Sequence, residues 1–458
     1  MIPGTLRGSA PSCGASVSPA MQPSIRRQVL SLALPVVVSS LLQRAVGIVD
    51  VFLVGGLGAS AIAAVGIAQL MVFLFMSVSW GINTGATVIV AQLWGAERRD
   101  EAARAAAQAL LTAAGASLVI MFLGLSLGGR MAGLLGAGEE VSSVLADYAT
   151  IIFSCIGFTI AINVLSGIMH GTGDTRTPLA ATLIVNVLHV AVAWPLIYGR
   201  FGLPALGVKG AAIAIALSEG LGAAFLLVRS LVRRYVVFRR PLGTQFLGTG
   251  FRLGWPIFVD RMLQHAGSLV FAKIVLLYGT AVYAAHQVGL AIEAFSFMPG
   301  YGIAVAAATL VGQHLGAGRM QDARVSAAEA YRFAVVLMAS MGVVFFFFPY
   351  LLLRAFTQDG EVIRYGILYM KIVAFAQVPL AITMVLGGSL RGAGDTGFIM
   401  YATIGGMWLV RLPVAALCAV WLRLPIHAVW LVMILDWTVR MALLTWRFRK
   451  ERWGRLAL

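Results

Sequence analysis

The sequence predicts an all-α polytopic membrane protein with twelve transmembrane helices in two parallel six-helix halves. Three observations carry that prediction. Apolar residues make up 60% of the 458 and charged residues only 11%, with a mean hydropathy of +0.90, a balance foreign to soluble globular domains. Apolar runs long enough to cross a bilayer recur twelve times. The second half of the chain repeats the first at a constant spacing of 221 residues.

The elements follow in chain order. Residues 1–24 are rich in Ser, Gly and Pro and lack the apolar core of a signal peptide, so they read as a disordered cytoplasmic tail. Spans follow near 29–54, 60–82, 106–128, 145–168, 178–199 and 208–229, which makes residues 25–228 an N-terminal lobe. The basic stretch RSLVRRYVVFRR with Pro241 and Gly243 beyond it makes residues 229–250 a linker at a membrane surface. Spans near 251–278, 284–312, 328–353, 362–388, 398–421 and 424–446 complete a C-terminal lobe over 251–458.

The formal charge of +16, from 34 Lys and Arg against 18 Asp and Glu, could suggest nucleic acid. The cations lie in loops between apolar spans, however, and so read as topology signals, with no nucleic-acid partner expected. One side of the membrane collects 22 of them, including both termini and the linker, and the other side six. This bias puts the termini and linker in the cytoplasm and the protein in the cell (inner) membrane. Cys13 falls in the tail, and Cys155 and Cys418 fall in apolar runs, where they act as small hydrophobes. No phosphate loop, nucleophile or metal motif occupies a loop long enough to hold one, so no enzyme activity, cofactor or bound metal is expected.

The repeat can be followed residue by residue. Pro35 pairs with Pro256, Gln43 with Gln264, and Gly58 with Gly279. VAQLWGAERRDEA (90–102) overlays VGQHLGAGRMQDA (311–323), and HGTGDT (170–175) overlays RGAGDT (391–396). Each half holds an even number of spans, so the halves enter the membrane the same way, about an axis along its normal. Shared residues look structural: the prolines kink or start helices, and the GDT turns reverse the chain and cap the next span through Asp.

Unshared acids look functional. Asp50 lies opposite Phe271 in the repeat, and Glu293 opposite Val72. An ionised carboxylate at the centre of a span costs about 2.5–3.5 kcal/mol by insertion scales, so Asp50 must face a protein interior or a watery cavity. With Gln43 and Gly47 it forms one polar and small stripe on the first helix. The readings open for Asp50 are an ion or proton site and a carboxylate paired for packing alone. Asn163, Asn186 and His189 can supply it with hydrogen bonds, and His189 titrates in the useful range. Glu293, near Phe295, Phe297 and Met298, could hold a cationic substrate by charge and adaptable apolar contact, with Gln264 and Gln287 beside the same cavity. Its alternative is a structural acid bonded to Gln287 or to backbone freed by Pro299. Asp260, Arg261 and Lys273 are expected to form ion pairs, and Asp436, Arg440 and Arg411 a structural trio.

Together, LALPVVVSSLLQRAVGIVDVFLVGGLGASAIAAVG, VAQLWGAERRDEA, HGTGDTRTP, SFMPGYGIAVAAATLVGQHLGAG and GGSLRGAGDT, in this order, resemble the multidrug and toxic compound extrusion (MATE) family over about residues 25–455. The resemblance implies two lobes in a V around a central cavity, and efflux of amphipathic, often cationic compounds in exchange for protons or sodium. It also implies an N-lobe coupling acid on the first helix, where Asp50 stands. The acid and the Asn that usually accompany it on the fifth helix are replaced here by Ala193 and His189. The C-lobe acids of the sodium-coupled branch are replaced by Gln264 and Leu380, which favours protons over sodium because sodium needs several oxygen ligands. The chain is expected to act as a monomer. A flippase for lipid-linked precursors, from the same fold superfamily, would want a more basic cavity.

Overall fold

The computed structural model describes residues 22–134, 138–238 and 244–455. Cys13, most of the tail, and the part of the linker with Pro241 and Gly243 lie outside the described residues. All regular structure among the described residues is helical. Six long helices form the first half: α1 (Gln22–Gly55), α2 (Ala59–Gly95), α3 (Arg99–Leu134), α4 (Glu139–Thr172), α5 (Arg176–Tyr198) and α6 (Val208–Val232). The second half is built from α7 (Leu247–Leu276), α8 (Thr280–Gly316), α9 (Met320–Phe347), α10 (Gly360–Gly392), α11 (Thr396–Trp421) and α12 (Ile426–Arg449). The protein is an all-α polytopic membrane protein. Eleven of these helices are long and apolar enough to span a bilayer. The exception is α7, which carries Arg252, Asp260, Arg261 and Lys273.

Several helices outrun their apolar stretches. α2 and α8 each have 37 residues, which at 1.5 Å per residue is about 55 Å, well beyond a hydrocarbon core of about 30 Å. Hydropathy marks where lipid ends, whereas backbone hydrogen bonding continues into the polar layer. The ninth span departs from expectation in the other direction. Residues 328–353 are not one helix: α9 stops at Phe347, and Pro349 opens a separate turn, Pro349–Arg354, from its first position. Proline lacks the N–H that would continue the ladder. The linker expectation also shifts, because its first residues, through Val232, belong to α6.

The repeat is visible as reciprocal contact. α1 packs on α8 and, equivalently, α7 on α2, so each half lends one helix to the other. Where α2 and α8 cross, a Cβ placed on Gly95 would lie 1.9 Å from Gln313 O, and one on Gly316 would lie 1.8 Å from Gln92 O. The side chains cross in the same way: Gln92 Nε2 donates to Gly392 O at 3.0 Å and Gln313 Nε2 to Gly171 O at 2.9 Å. These four contacts are two copies of one pair, related by the 221-residue shift, and they seal the halves together at the end bearing loops 96–98 and 317–319. Farther along α2, Gly81 and Gly254 bring α2 and α7 into backbone contact. Gly95→Ala is expected to cost about 1–3 kcal/mol through overpacking, read as a lower melting temperature in detergent. Gly316→Ala should match it, while Gly47→Ala, which meets nothing within 4 Å, should be neutral.

The two GDT turns share backbone but not side-chain roles. Gly173 and Gly394 are both left-handed, at φ 89° and 88°. Asp174 caps α5 as expected, its Oδ1 accepting from Thr177 N–H at 3.0 Å. Asp395 does not cap, because Arg447 draws its carboxylate away with Nε at 2.6 Å.

Candidate functional site in the N-terminal half

α1 and α5 run side by side and are stitched at three levels. Ser39 and Thr182 share a hydrogen bond of 2.7 Å, and Tyr198 donates to Leu53 O at 2.8 Å. Between them Asp50 Oδ1 lies 2.5 Å from His189 Nε2. The Asp50 side chain is 29% exposed and that of His189 only 5%. The acid is therefore partly open at the molecular surface, while the imidazole is buried behind it. An ionised Asp50 takes the Nε2–H as donor, which leaves Nδ1 as the second ring position, and Nδ1 is buried without a partner. The pair thus offers a carboxylate oxygen and an unpartnered ring nitrogen on facing helices.

The sequence reading missed a third titratable group here. Glu219 on α6 accepts from Thr159 Oγ1 of α4 and lies within electrostatic reach of His189. Buried Tyr148 lies within reach of both Glu219 and Asp50. The signal was available: Glu219 is an acid within an apolar span whose repeat equivalent is a base, Arg440. Asn163 offers its backbone oxygen to Asn83 Nδ2 at 2.6 Å and keeps a buried, unpartnered Oδ1. Asn186 keeps an unpartnered Nδ2. Gln43 is exposed on the stripe it shares with Gly47. Asp50 and His189 are thus joined directly, and the two asparagines keep free polar atoms without bonding to either.

The candidates in the second half do not converge. Glu293 is 8% exposed and accepts from Tyr369 on α10 at 3.2 Å. The expected partner Gln287 instead donates to Tyr283 on its own helix at 2.6 Å, on an exposed face. Phe295 is 39% exposed, while Phe297 packs partly buried against the core around Val29 and Ile303, and Met298 is partly buried. Gln264 donates to Asp260 at 2.8 Å. The ion pairs expected of Asp260, Arg261 and Lys273 do not form among the described residues: Asp260 is held by Gln264, Arg261 lies over Trp80 at 4.7 Å, and Lys273 is exposed. None of the three stands one turn from another along α7, whereas Gln264 stands one turn from Asp260 and takes its carboxylate. Leu380 is fully buried.

The expected trio does form. Asp436 is held by Arg411 Nε and Arg440 Nε, each at 2.6 Å, all three buried. Arg411 closes a π-helical stretch, Ile404–Arg411, ahead of Pro413. Pro413 cannot donate to a preceding carbonyl, and the widened turn is the form a helix takes when that register is lost.

The MatE family model matches residues 35–194 and, a second time, residues 256–417. The chain belongs to the MATE family. Both matches begin on a proline, Pro35 and Pro256, so the MATE unit is the half-chain and the 221-residue repeat is a repeat of that unit. A Thermotoga maritima protein described as a probable multidrug resistance protein NorM is 31% identical over 448 residues, covering 95% of each chain. Multidrug resistance protein MdtK of Edwardsiella ictaluri is 27% identical over 406 residues, covering 86% of this chain and 87% of its own. Among solved structures, the Vibrio cholerae MATE transporter VcmN in its bent form has a TM-score of 0.88 at 20% identity, covering 95% of this chain and 98% of its own. Within the MATE fold, Asp50 and His189 thus sit on the first and fifth helices of the N-terminal unit. A crevice of about 530 Å³ between α2, α3 and α7 is apolar and is lined by none of the candidate residues.

Proposed function

We propose that this chain is a proton-coupled efflux transporter of amphipathic, cationic compounds, working by alternating access of its two halves. The observation that carries the proposal is the Asp50–His189 pair, a partly exposed carboxylate in contact with a buried imidazole that has an unused ring nitrogen. Relatives named as multidrug resistance proteins support the substrate class. The bias of Lys and Arg supports cytoplasmic termini, a linker on the same side, and lobes divided near residues 229–250.

With Asp50 ionised, the site needs water or donors around it. A proton arriving from the far side neutralises the pair and cheapens its dehydration, which favours a repacked α1 against α5. That repacking expels the drug. Gln43 and exposed Phe295 and Gln287 would meet substrate, whereas Glu293 would do so only after releasing Tyr369. Sodium is less well served, because the second half offers Gln264 and Leu380 at the places where an acid is wanted.

Uptake of a fluorescent cationic dye into inverted vesicles, driven in turn by a proton and by a sodium gradient, tests this. Proton-driven accumulation about tenfold above the sodium-driven level is expected. Equal or greater accumulation with sodium alone would overturn the proposal.

A further inference from the structure

A second groove, of about 710 Å³, lies between α9, α10 and α12, toward the α12 end that leads into the C-terminal segment. Its wall is apolar, with Ile382 and Leu386 from α10 and Met441 and Trp446 from α12. Its end is cationic, with Arg449 and Lys450. Two neighbouring cations are already neutralised: Arg447 pairs with Asp395 and Arg324 with Glu451. Among the described residues no carboxylate pairs with Arg449 or Lys450. Both are exposed, and Lys450 Nζ stands 4.0 Å above the Trp446 ring. Two cations with no paired carboxylate among the described residues thus close an apolar groove, at the end of membrane-spanning helices.

We propose that this groove binds an anionic phospholipid, its acyl chain along Ile382, Leu386 and Met441 and its phosphate between Arg449 and Lys450. The charge calls for an anion, and the wall calls for hydrocarbon attached to it. A free phosphate leaves the wall unused. A zwitterionic headgroup sets its own cation against the pair. A Trp and Lys stacked at the groove mouth suit the headgroup layer. The occupant would clasp α10 and α12, the helices that bring Tyr369 to Glu293 and Asp436 to Arg411.

The test is native mass spectrometry of the full chain in detergent, titrated separately with phosphatidylglycerol, phosphatidylcholine and inorganic phosphate. Phosphatidylglycerol should bind about tenfold more tightly than phosphatidylcholine, and Arg449→Gln with Lys450→Gln should remove that preference. Ala442→Trp, which fills the groove without changing charge, should weaken phosphatidylglycerol binding by about tenfold. Equal binding of the two lipids would overturn the proposal, as would unchanged phosphatidylglycerol binding in the charge variant. Displacement of the lipid by millimolar inorganic phosphate would overturn it in favour of a simple anion site.

Discussion

Asp50→Asn is expected to abolish proton-driven dye transport, lowering it at least about tenfold, to the level of empty vesicles, while dye binding changes by no more than a few-fold. The substitution is chosen because an amide oxygen can still accept from His189, whose ring nitrogen lies 2.5 Å from the carboxylate, so the α1–α5 stitch survives. What the variant loses is the ability to change charge. A gradient can drive a conformational equilibrium only through a group that binds its ion differently in the two states. His189→Gln separates the two members of the pair. It keeps an N–H for Asp50 but cannot titrate, so efflux should persist in part with its pH midpoint displaced. An unchanged pH profile would reduce His189 to a donor that only positions Asp50. Full activity in Asp50→Asn would remove Asp50 from the coupling role and leave Glu219 as the acid of this cluster to test.

The second large effect concerns stability. Asp436 is fully buried between two buried guanidinium groups. Asp436→Ala strands both cations in an apolar interior, and removing one partner of such a network typically costs about 3–5 kcal/mol. The expected result is a steep loss of melting temperature and of yield in detergent. Thr403→Ala, which removes only a 3.5 Å contact to Arg440, should cost under about 1 kcal/mol. Replacing the trio together, with Asp436→Leu, Arg411→Met and Arg440→Met, should recover most of the stability, because no charge is then left unpaired. The packing around the trio is tight enough that a Cβ on Gly406 would lie 2.1 Å from Asp436 Oδ1. If Asp436→Ala melts like the parent chain, the trio contributes little and Arg411 and Arg440 find other partners.

The fold was legible because two independent signals agreed. Bilayer-length apolar runs counted the helices, and the 221-residue shift sorted them into halves. The errors came where hydropathy and backbone bonding part company, as at Pro349, which sits in an apolar run yet ends a helix. In the candidate site, Asp50 and His189 could be read from an acid out of place and from its neighbours in the resemblance. Their direct contact could not, because it depends on how α1 lies along α5. Glu219 was readable by the argument applied to Asp50 and was passed over. The Asp260–Gln264 bond was also readable, as an i,i+4 pair. By contrast, the diversion of Asp395 to Arg447 joins residues 52 apart in sequence, and no local pattern announces it.

The reciprocal seal at Gly95, Gly316, Gln92 and Gln313 has a consequence for the chain's origin. A patch that binds its own copy about a twofold axis is an isologous interface, the kind by which identical subunits form closed dimers. Here both copies lie on one polypeptide, so the contact that shuts one end of the molecule is one that two separate half-chains could make as a homodimer. Joining two such half-chains requires no new surface at this seal, only a tether, and the charges away from it differ between the halves, as at Asp50 opposite Phe271 and Glu219 opposite Arg440.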